Sequence, residues 1–337
     1  MQDTYNVVVS MDFTDALMER LRAISPRLNV VRYFPRVDDS AWAEADIAYT
    51  LFNFPTPEQA PRLRWIQLHT AGMDYALDKP IIQHEAVTVT STSGIHARQI
   101  ANYCLMMMLA HNFQLPRMLR DQAQAHWPDK QHRLYAPIPM HQQTLGIAGY
   151  GTIGRELARV AQALGMRVLA SKRDPRKPAE SAQEYTPPGT GDPEGNIPER
   201  IYPSEALASM AAECDYLVVT VPLTPSTRHL VGEKVLRAMK PTAQLINIAR
   251  GELVDTEALL KALHEGWIGG AALDVYEQEP LPADHPLWRA PNVIMSPHVS
   301  GNSVGYHELC VEVFSENLRR FLDQRPLLNV LNKQVGY

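Results

Sequence analysis

The stretch that most restricts how this chain can fold is Thr144 to Leu157, TLGIAGYGTIGREL. It reads as a short apolar strand, a glycine turn and the first turn of a helix. Gly149, Gly151 and Gly154 stand at G-x-G-x-x-G spacing. The first glycine permits a tight turn, the second lets backbone approach a pyrophosphate, and the third lets helix and strand pack closely. The helix that follows offers unpaired N–H groups and the positive end of its dipole to an anion. Read this way, the backbone of Gly149, Tyr150, Gly151, Thr152, Ile153 and Gly154 is a candidate cradle for a dinucleotide. A glycine-rich turn with no ligand is the plainer alternative, and the rest of the chain has to decide between them.

At 337 residues the chain exceeds most single cores, so two domains are expected. Apolar residues make up 45% and charged residues 20%, as in ordinary soluble domains, and no run reaches the length of a membrane span. A net charge of −5 gives no reason to expect nucleic acid or an anionic membrane as partner. Cys104, Cys214 and Cys310 lie far apart, form no C-x-x-C, and read as small buried hydrophobes in a reducing compartment. The opening MQDTYNVVVSMDF has no basic segment leading into a long apolar run. The expected location is the cytoplasm.

Along the chain, apolar strands alternate with helical patterns. Strands are expected at Asn6 to Ser10, near Ile47 to Leu51, at Trp65 to Leu68 and at Val87 to Thr90. Phe13, Leu17, Leu21 and Ile24 recur at helical spacing before Pro26. After the glycine turn come RVLAS (Arg167 to Ser171), YLVVTV (Tyr216 to Val221), LINI (Leu245 to Ile248), AALDV (Ala271 to Val275) and VIM (Val293 to Met295). The alternation argues an α/β fold with doubly wound parallel sheets. Gln99 to Asn112 reads as an apolar helix linking the two halves, with three consecutive methionines that suit core or subunit interface. A polar, proline-bearing stretch to His141 follows it. Pro175 to Pro203, rich in Pro, Gly and charge, is expected to be an inserted surface loop.

A dinucleotide site needs a group for the adenosine ribose at the end of the second strand. Here Ser171, Lys172 and Arg173 stand where a carboxylate would select NAD. Positive charge suits a 2′-phosphate, and Arg can bind one in bidentate fashion, so NADP is favoured over NAD. Asp174, one place further on, keeps NAD open. Three more polar groups follow apolar strands: Arg250 after LINIA, Glu279 after ALDVYEQ, and His298 after VIMSP. Residues at the carboxyl ends of strands in one sheet converge on one crevice. An imidazole exchanges a proton near neutral pH, a carboxylate orients it, and a guanidinium holds a carboxylate or polarises a carbonyl. With a nicotinamide these make a hydride-transfer site for a 2-keto and 2-hydroxy acid pair. In the first half, Ala71, Gly72 and Met73 follow a strand, where their backbone N–H groups could hold a carboxylate, or Gly72 could simply turn the chain. No H-E-x-x-H or C-x-x-C spacing suggests a metal.

The pieces GIAGYGTIG, VPLTPSTRHLV, MKPTAQLINIARGELVD, GGAALDVYEQEPLP and NVIMSPHVSG together resemble the D-isomer-specific 2-hydroxyacid dehydrogenases, in that family's order and over about Leu145 to Gly301. HTAGMDYALD and RPLLNVLN match more loosely. The resemblance implies a Rossmann-type dinucleotide-binding domain (residues 101–301) inserted in a flavodoxin-like substrate domain (residues 1–100 with 302–337, the tail packing back on the first segment). It implies Arg250 as the substrate carboxylate and carbonyl group, His298 as acid and base, and Glu279 as the partner of His298. It further implies that Asp274 holds the nicotinamide carboxamide and that Pro222 and Thr227 line the adenine side. Backbone at Ile248 and Ala249 would meet the nicotinamide half, and Ala71, Gly72 and Met73 would grip substrate carboxylate.

Residues 98–103, RQIANY, depart from the family's usual V-A-E segment, which puts Asn102 and Tyr103 on an unassigned wall. Formate dehydrogenases share part of the last motif but carry Gln at the place of Glu279. The expected protein is a homodimeric NAD(P)-dependent reductase of a small 2-keto acid, of the glyoxylate/hydroxypyruvate kind. The alternatives are a phosphoglycerate dehydrogenase and a dinucleotide-sensing binding protein without turnover.

Overall fold

Twelve strands form two wholly parallel sheets in the computed structural model, which describes residues 4–334. They are β1 (Tyr5–Val9), β2 (Leu28–Arg32), β3 (Ile47–Thr50), β4 (Trp65–Leu68), β5 (Thr88–Thr90), β6 (Thr144–Ala148), β7 (Arg167–Lys172), β8 (Arg200–Pro203), β9 (Tyr216–Val219), β10 (Gln244–Asn247), β11 (Gly270–Leu273) and β12 (Val293–Met295). The chain divides into two units. One comprises the chain up to Ile95, Ser181–Pro187, and the chain from Ser303 onward; the other comprises His96–Glu180 and Pro188–Asn302.

The first unit carries the sheet β2-β1-β3-β4-β5. Strands of β-branched and aromatic residues, buried on both faces, need helices on each side. One face packs on the C-terminal helix Tyr306–Leu322, whose Phe314 ring meets Tyr49 at 4.9 Å and Trp65 at 5.3 Å. The tail beyond that helix returns to the sheet edge, where the Leu331 N–H donates to the Val89 carbonyl. β2 lies at the other edge and had no counterpart in the sequence reading.

The second unit carries the sheet β12-β11-β10-β9-β6-β7-β8. β6 pairs with β7 on one side and β9 on the other, so the chain reverses its winding direction at the end of β6. The register puts Ala148, Ser171, Val219, Asn247, Leu273 and Met295 in one row at the carboxyl edge. Helix Ala97–Asn112 packs on this sheet with helix Thr152–Ala163, burying Tyr103, Cys104, Met107 and Met108 against Leu145, Ile147 and Leu157. All three cysteines are buried, and burial pushes the thiols of Cys214 and Cys310 up to about 12.

Two stretches differ from the sequence expectation. The polar run after Asn112 contains helices Leu115–Ala123 and Gln131–Leu134. The expected surface loop Pro175 to Pro203 is instead a structural part of both units. Its end is β8, and Ser181–Pro187 belongs to the first unit, where the Asn329 N–H donates to the Gln183 carbonyl. In the second unit Asp192, 4% exposed, ties the returning segment through the N–H groups of Asn196 and Ile197. The Tyr150 hydroxyl donates to Asp192 at 2.6 Å, Arg155 donates to the carbonyls of Pro178 and Asp192, and Glu156 accepts from the Gly191 N–H. Buried charged groups need such partners, and the backbone of this segment supplies them.

Candidate functional site

The glycine turn sits where β6 ends, between β7 and β9, the switch point at which open α/β sheets bind ligands. Gly149 has φ +104°, and a Cβ there would fall within 3 Å of Thr220 and Val221. A Cβ on Gly154 would come 2.4 Å from the Gly149 carbonyl, which is the close helix–strand approach expected of the third glycine. Gly151 differs from both: nothing lies within 4 Å of its Cβ position, and its backbone is extended. Open space above the N-terminus of the twelve-residue helix Thr152–Ala163 fits a pyrophosphate. The backbone of Thr152, Ile153 and Gly154 begins that helix. The Tyr150 ring lies under Arg155 and its hydroxyl donates to Asp192, which leaves its expected backbone place in the turn unchanged.

Ser171 is buried and its carbonyl accepts from the Gly149 N–H, which couples the end of β7 to the glycine turn. Lys172 is half-buried and donates to the Lys177 carbonyl, while Arg173 is exposed next to it. Pro222 and Thr227 lie in the loop after β9, closed by the Thr227 hydroxyl donating to the Pro222 carbonyl at 2.8 Å. Ile248 and Ala249 follow β10, and the side chain of Asn247 holds both the Ala249 N–H and the Arg250 carbonyl.

Arg250, Glu279 and His298 follow β10, β11 and β12 at the same edge. The Nδ1–H of His298 donates to Glu279 Oε2 at 2.7 Å. A carboxylate only accepts, so Nδ1 carries the proton and Nε2 is the atom left for exchange. Glu279 Oε1 accepts from the Tyr276 N–H at 3.0 Å. Gly251, beside Arg250, lies so close to the Tyr276 backbone that a Cβ would fall 1.9 Å from its carbonyl carbon. Arg250 and the Glu279–His298 pair are thus fixed to the same piece of backbone.

His298 has φ +53°, an uncommon conformation outside glycine that surrounding contacts must hold. They do so through three successive N–H groups. His298 donates to the Asp274 carbonyl, Val299 to Asp274 Oδ1 and Ser300 to Asp274 Oδ2, each at 2.8 Å. Asp274 is fully buried behind the loop. In this structure Asp274 ties down the His298 loop. Gly301 closes the motif against His96, whose ring nitrogen lies 3.0 Å from the Gly301 carbonyl.

In the first unit, Ala71, Gly72 and Met73 form the loop after β4. The Thr70 hydroxyl donates to the Gly72 carbonyl and the Ala76 N–H to the Met73 carbonyl. Among the described residues no hydrogen bond uses the N–H groups of Ala71, Gly72 or Met73. Residues missed in the sequence are those that brace the site from behind: Tyr103, Ser296, Tyr276 and Asp192. Tyr276 and Ser296 stand inside the motifs GGAALDVYEQEPLP and NVIMSPHVSG and Tyr103 on the RQIANY stretch, but nothing in those strings marks their bracing contacts, which run across long sequence separations or through backbone.

The sequence profile of the D-isomer specific 2-hydroxyacid dehydrogenase NAD binding domain matches residues 105–300. A glyoxylate reductase from Thermococcus gammatolerans is 34% identical over 284 residues, covering 82% of this chain and 79% of that protein. A crystal structure of a D-isomer specific 2-hydroxyacid dehydrogenase family protein from Aeromonas salmonicida superimposes with a TM-score of 0.76 at 30% identity, covering 99% and 100% of the two chains. One of a D-isomer specific 2-hydroxyacid dehydrogenase from Xanthobacter autotrophicus, in complex with NADPH and MES, gives 0.79 at 26% identity over 99% and 100%. A profile covering more than half of the chain, an extended relative and the arrangement at the sheet edge agree: this chain belongs to the D-isomer specific 2-hydroxyacid dehydrogenase family.

Proposed function

We propose that the chain is an NADPH-linked reductase of small 2-keto acids, of the glyoxylate and hydroxypyruvate kind. The observation that carries this reading is the Glu279-oriented, half-exposed imidazole of His298 at the carboxyl edge of the sheet that holds the glycine turn. A bound nicotinamide supplies the hydride that adds to the keto carbon. His298 gives its Nε2 proton to the carbonyl oxygen as that oxygen becomes a hydroxyl, and takes it back in oxidation. Glu279 holds the ring in the tautomer that allows this and stabilises its charged form. Arg250 pairs with the substrate carboxylate and stabilises negative charge on the carbonyl oxygen. Within the first unit, the loop Ala71, Gly72 and Met73 is by itself the proposed holder of a carboxylate through its backbone N–H groups.

Lys172 and Arg173 at the end of β7 support NADPH over NADH, as does the NADPH bound by the Xanthobacter relative. The proposed cofactor contacts are the backbone from Gly149 to Gly154, then Ser171, Lys172, Arg173, Pro222, Thr227, Ile248 and Ala249, with Asp274 acting through the loop it ties. Exposed apolar Phe113, Leu115, Leu119 and Trp127, in the stretch after helix Ala97–Asn112, support a homodimer that covers them. Free thiols suit the cytoplasm, and among the described residues no helix is long and apolar enough to cross a membrane. The test is a panel of 2-keto acids assayed with NADPH and NADH side by side. Oxidation of NADPH with glyoxylate or hydroxypyruvate is expected. Tight cofactor binding with no turnover on any keto acid would mark a sensor instead.

A further inference from the structure

Behind the His298 loop runs a partly buried hydrogen-bond chain, ending on the fully buried Asp274, that the reaction above does not use. Tyr103, on helix Ala97–Asn112, places its hydroxyl 2.6 Å from Ser296 Oγ, and Ser296 Oγ lies 2.6 Å from Asp274 Oδ1. The direction of each proton follows from the acceptor at the end. An ionised carboxylate only accepts, so Ser296 donates to Asp274, and the lone pairs of Ser296 then take the Tyr103 proton. The same Oδ1 accepts the Val299 N–H, and the other oxygen of Asp274 accepts that of Ser300. Tyr276 grips the Ser296 carbonyl from another side at 2.9 Å. The chain therefore ends on the carboxylate that holds His298 in its uncommon backbone conformation. Chains of this kind strengthen cooperatively at low dielectric, and a gap in one leaves a buried group short of a partner.

We propose that Tyr103 is a positioning residue for the reaction: through Ser296 it fixes Asp274, and through Asp274 the placement of the His298 imidazole. The proposal rests on the reading of His298 as proton donor, and it gives a role to Tyr103, which the sequence left on an unassigned wall. The ring of Tyr103 packs with Leu145, Ile147 and other apolar side chains, so Tyr103→Phe keeps the packing and removes only the hydroxyl.

Three measurements on the full-length enzyme test it. Tyr103→Phe and Ser296→Ala are each expected to lower kcat for NADPH-dependent keto acid reduction roughly tenfold, with KM for the keto acid within about twofold, the pattern of lost transition-state alignment. The double variant is expected to be no slower than the slower single variant, and Ser296→Thr, which keeps the hydroxyl, to stay near wild type. The downfield proton resonance of His298 Nδ1–H, followed by NMR in the resting protein, is expected to move in Tyr103→Phe. Effects that multiply in the double variant, or a wild-type kcat in Tyr103→Phe, would overturn the relay. If the wild-type protein turns over no keto acid, the reductase reading falls, and the Nδ1–H signal still decides: unchanged in Tyr103→Phe, it removes Tyr103 from the account as well.

Discussion

The two ends of the seven-stranded sheet's carboxyl edge solve opposite problems. At the β6–β7 end the proposed ligand-facing surface is backbone, while the side chains of Tyr150, Arg155 and Glu156 are buried and spent on holding the inserted segment. At the β10–β12 end the proposed reactive groups are side chains, and the backbone behind them is tied down, with Asp274 collecting three successive N–H groups. A pyrophosphate asks for space and N–H groups, which glycines provide. Proton transfer asks for one imidazole in one orientation, which takes a carboxylate in contact and a second one behind the loop. The first end should therefore be sensitive to added atoms, and the second to lost ones.

The largest effect belongs at the reactive end. His298→Ala should lower kcat by roughly two to four orders of magnitude, the range for a positioned acid–base group, while the dissociation constant for NADPH stays within about twofold. A parallel loss of cofactor affinity would break the contrast between the ends. At the glycine end, Gly151→Ala and Gly154→Ala should part company. The alanine methyl at 151 meets nothing in the protein, so the melting temperature should hold, while NADPH affinity falls tenfold or more, by roughly 1.4 kcal/mol or above. At 154 the methyl meets the Gly149 carbonyl, so the melting temperature itself should drop. Calorimetry with and without NADPH separates the two; equal melting temperatures for both variants would contradict the geometry.

A smaller effect is expected from the pair Lys172→Ala and Arg173→Ala made together. KM for NADPH should rise roughly tenfold and KM for NADH by less than about twofold, since only the former carries the phosphate that these cations would meet. Equal changes would remove the cofactor preference from the account.

The smallest effect concerns His111, on the helix that carries Tyr103. Burial holds its pKa down at about 4. Its folded value lies below the unfolded one of about 6.5, so between the two the unfolded chain binds more protons. Stability from this group is complete above the unfolded value and is lost as pH falls toward 4, by at most ~1.4 kcal/mol per pH unit. Thermal unfolding at pH 7 and pH 5 should show a drop for the wild type that is shallower in His111→Asn; identical drops would assign the acid sensitivity elsewhere.

The parallel sheets were legible because central strands are buried on both faces and read as short apolar runs, as YLVV and LINI do. β2 and β8 were not. LNVVR and RIYP lie at sheet edges, where one side of the strand faces no neighbour and charge or proline is tolerated. The inserted segment looked like loop because its composition is that of loop. What orders it is a set of buried groups on the glycine-turn helix, Arg155 and Glu156, whose positions in the sequence carry no periodic signal. That Arg250, Glu279 and His298 stand at one sheet edge was readable because each follows a strand in one parallel sheet, whereas their proposed roles rest on the family resemblance. Tyr103 was not, because its partner Ser296 lies 193 residues away and only the folded helix brings them together.

The central claim is that hydride and proton meet at the β10–β12 end, and isotope transfer tests it most directly. Reduction of glyoxylate with NADPH carrying deuterium at the transferable C4 position is predicted to give glycolate with one deuterium on its C2 carbon, at a rate that His298→Ala lowers at least a hundredfold. Unlabelled glycolate, or labelled product formed equally fast by His298→Ala, would contradict the account.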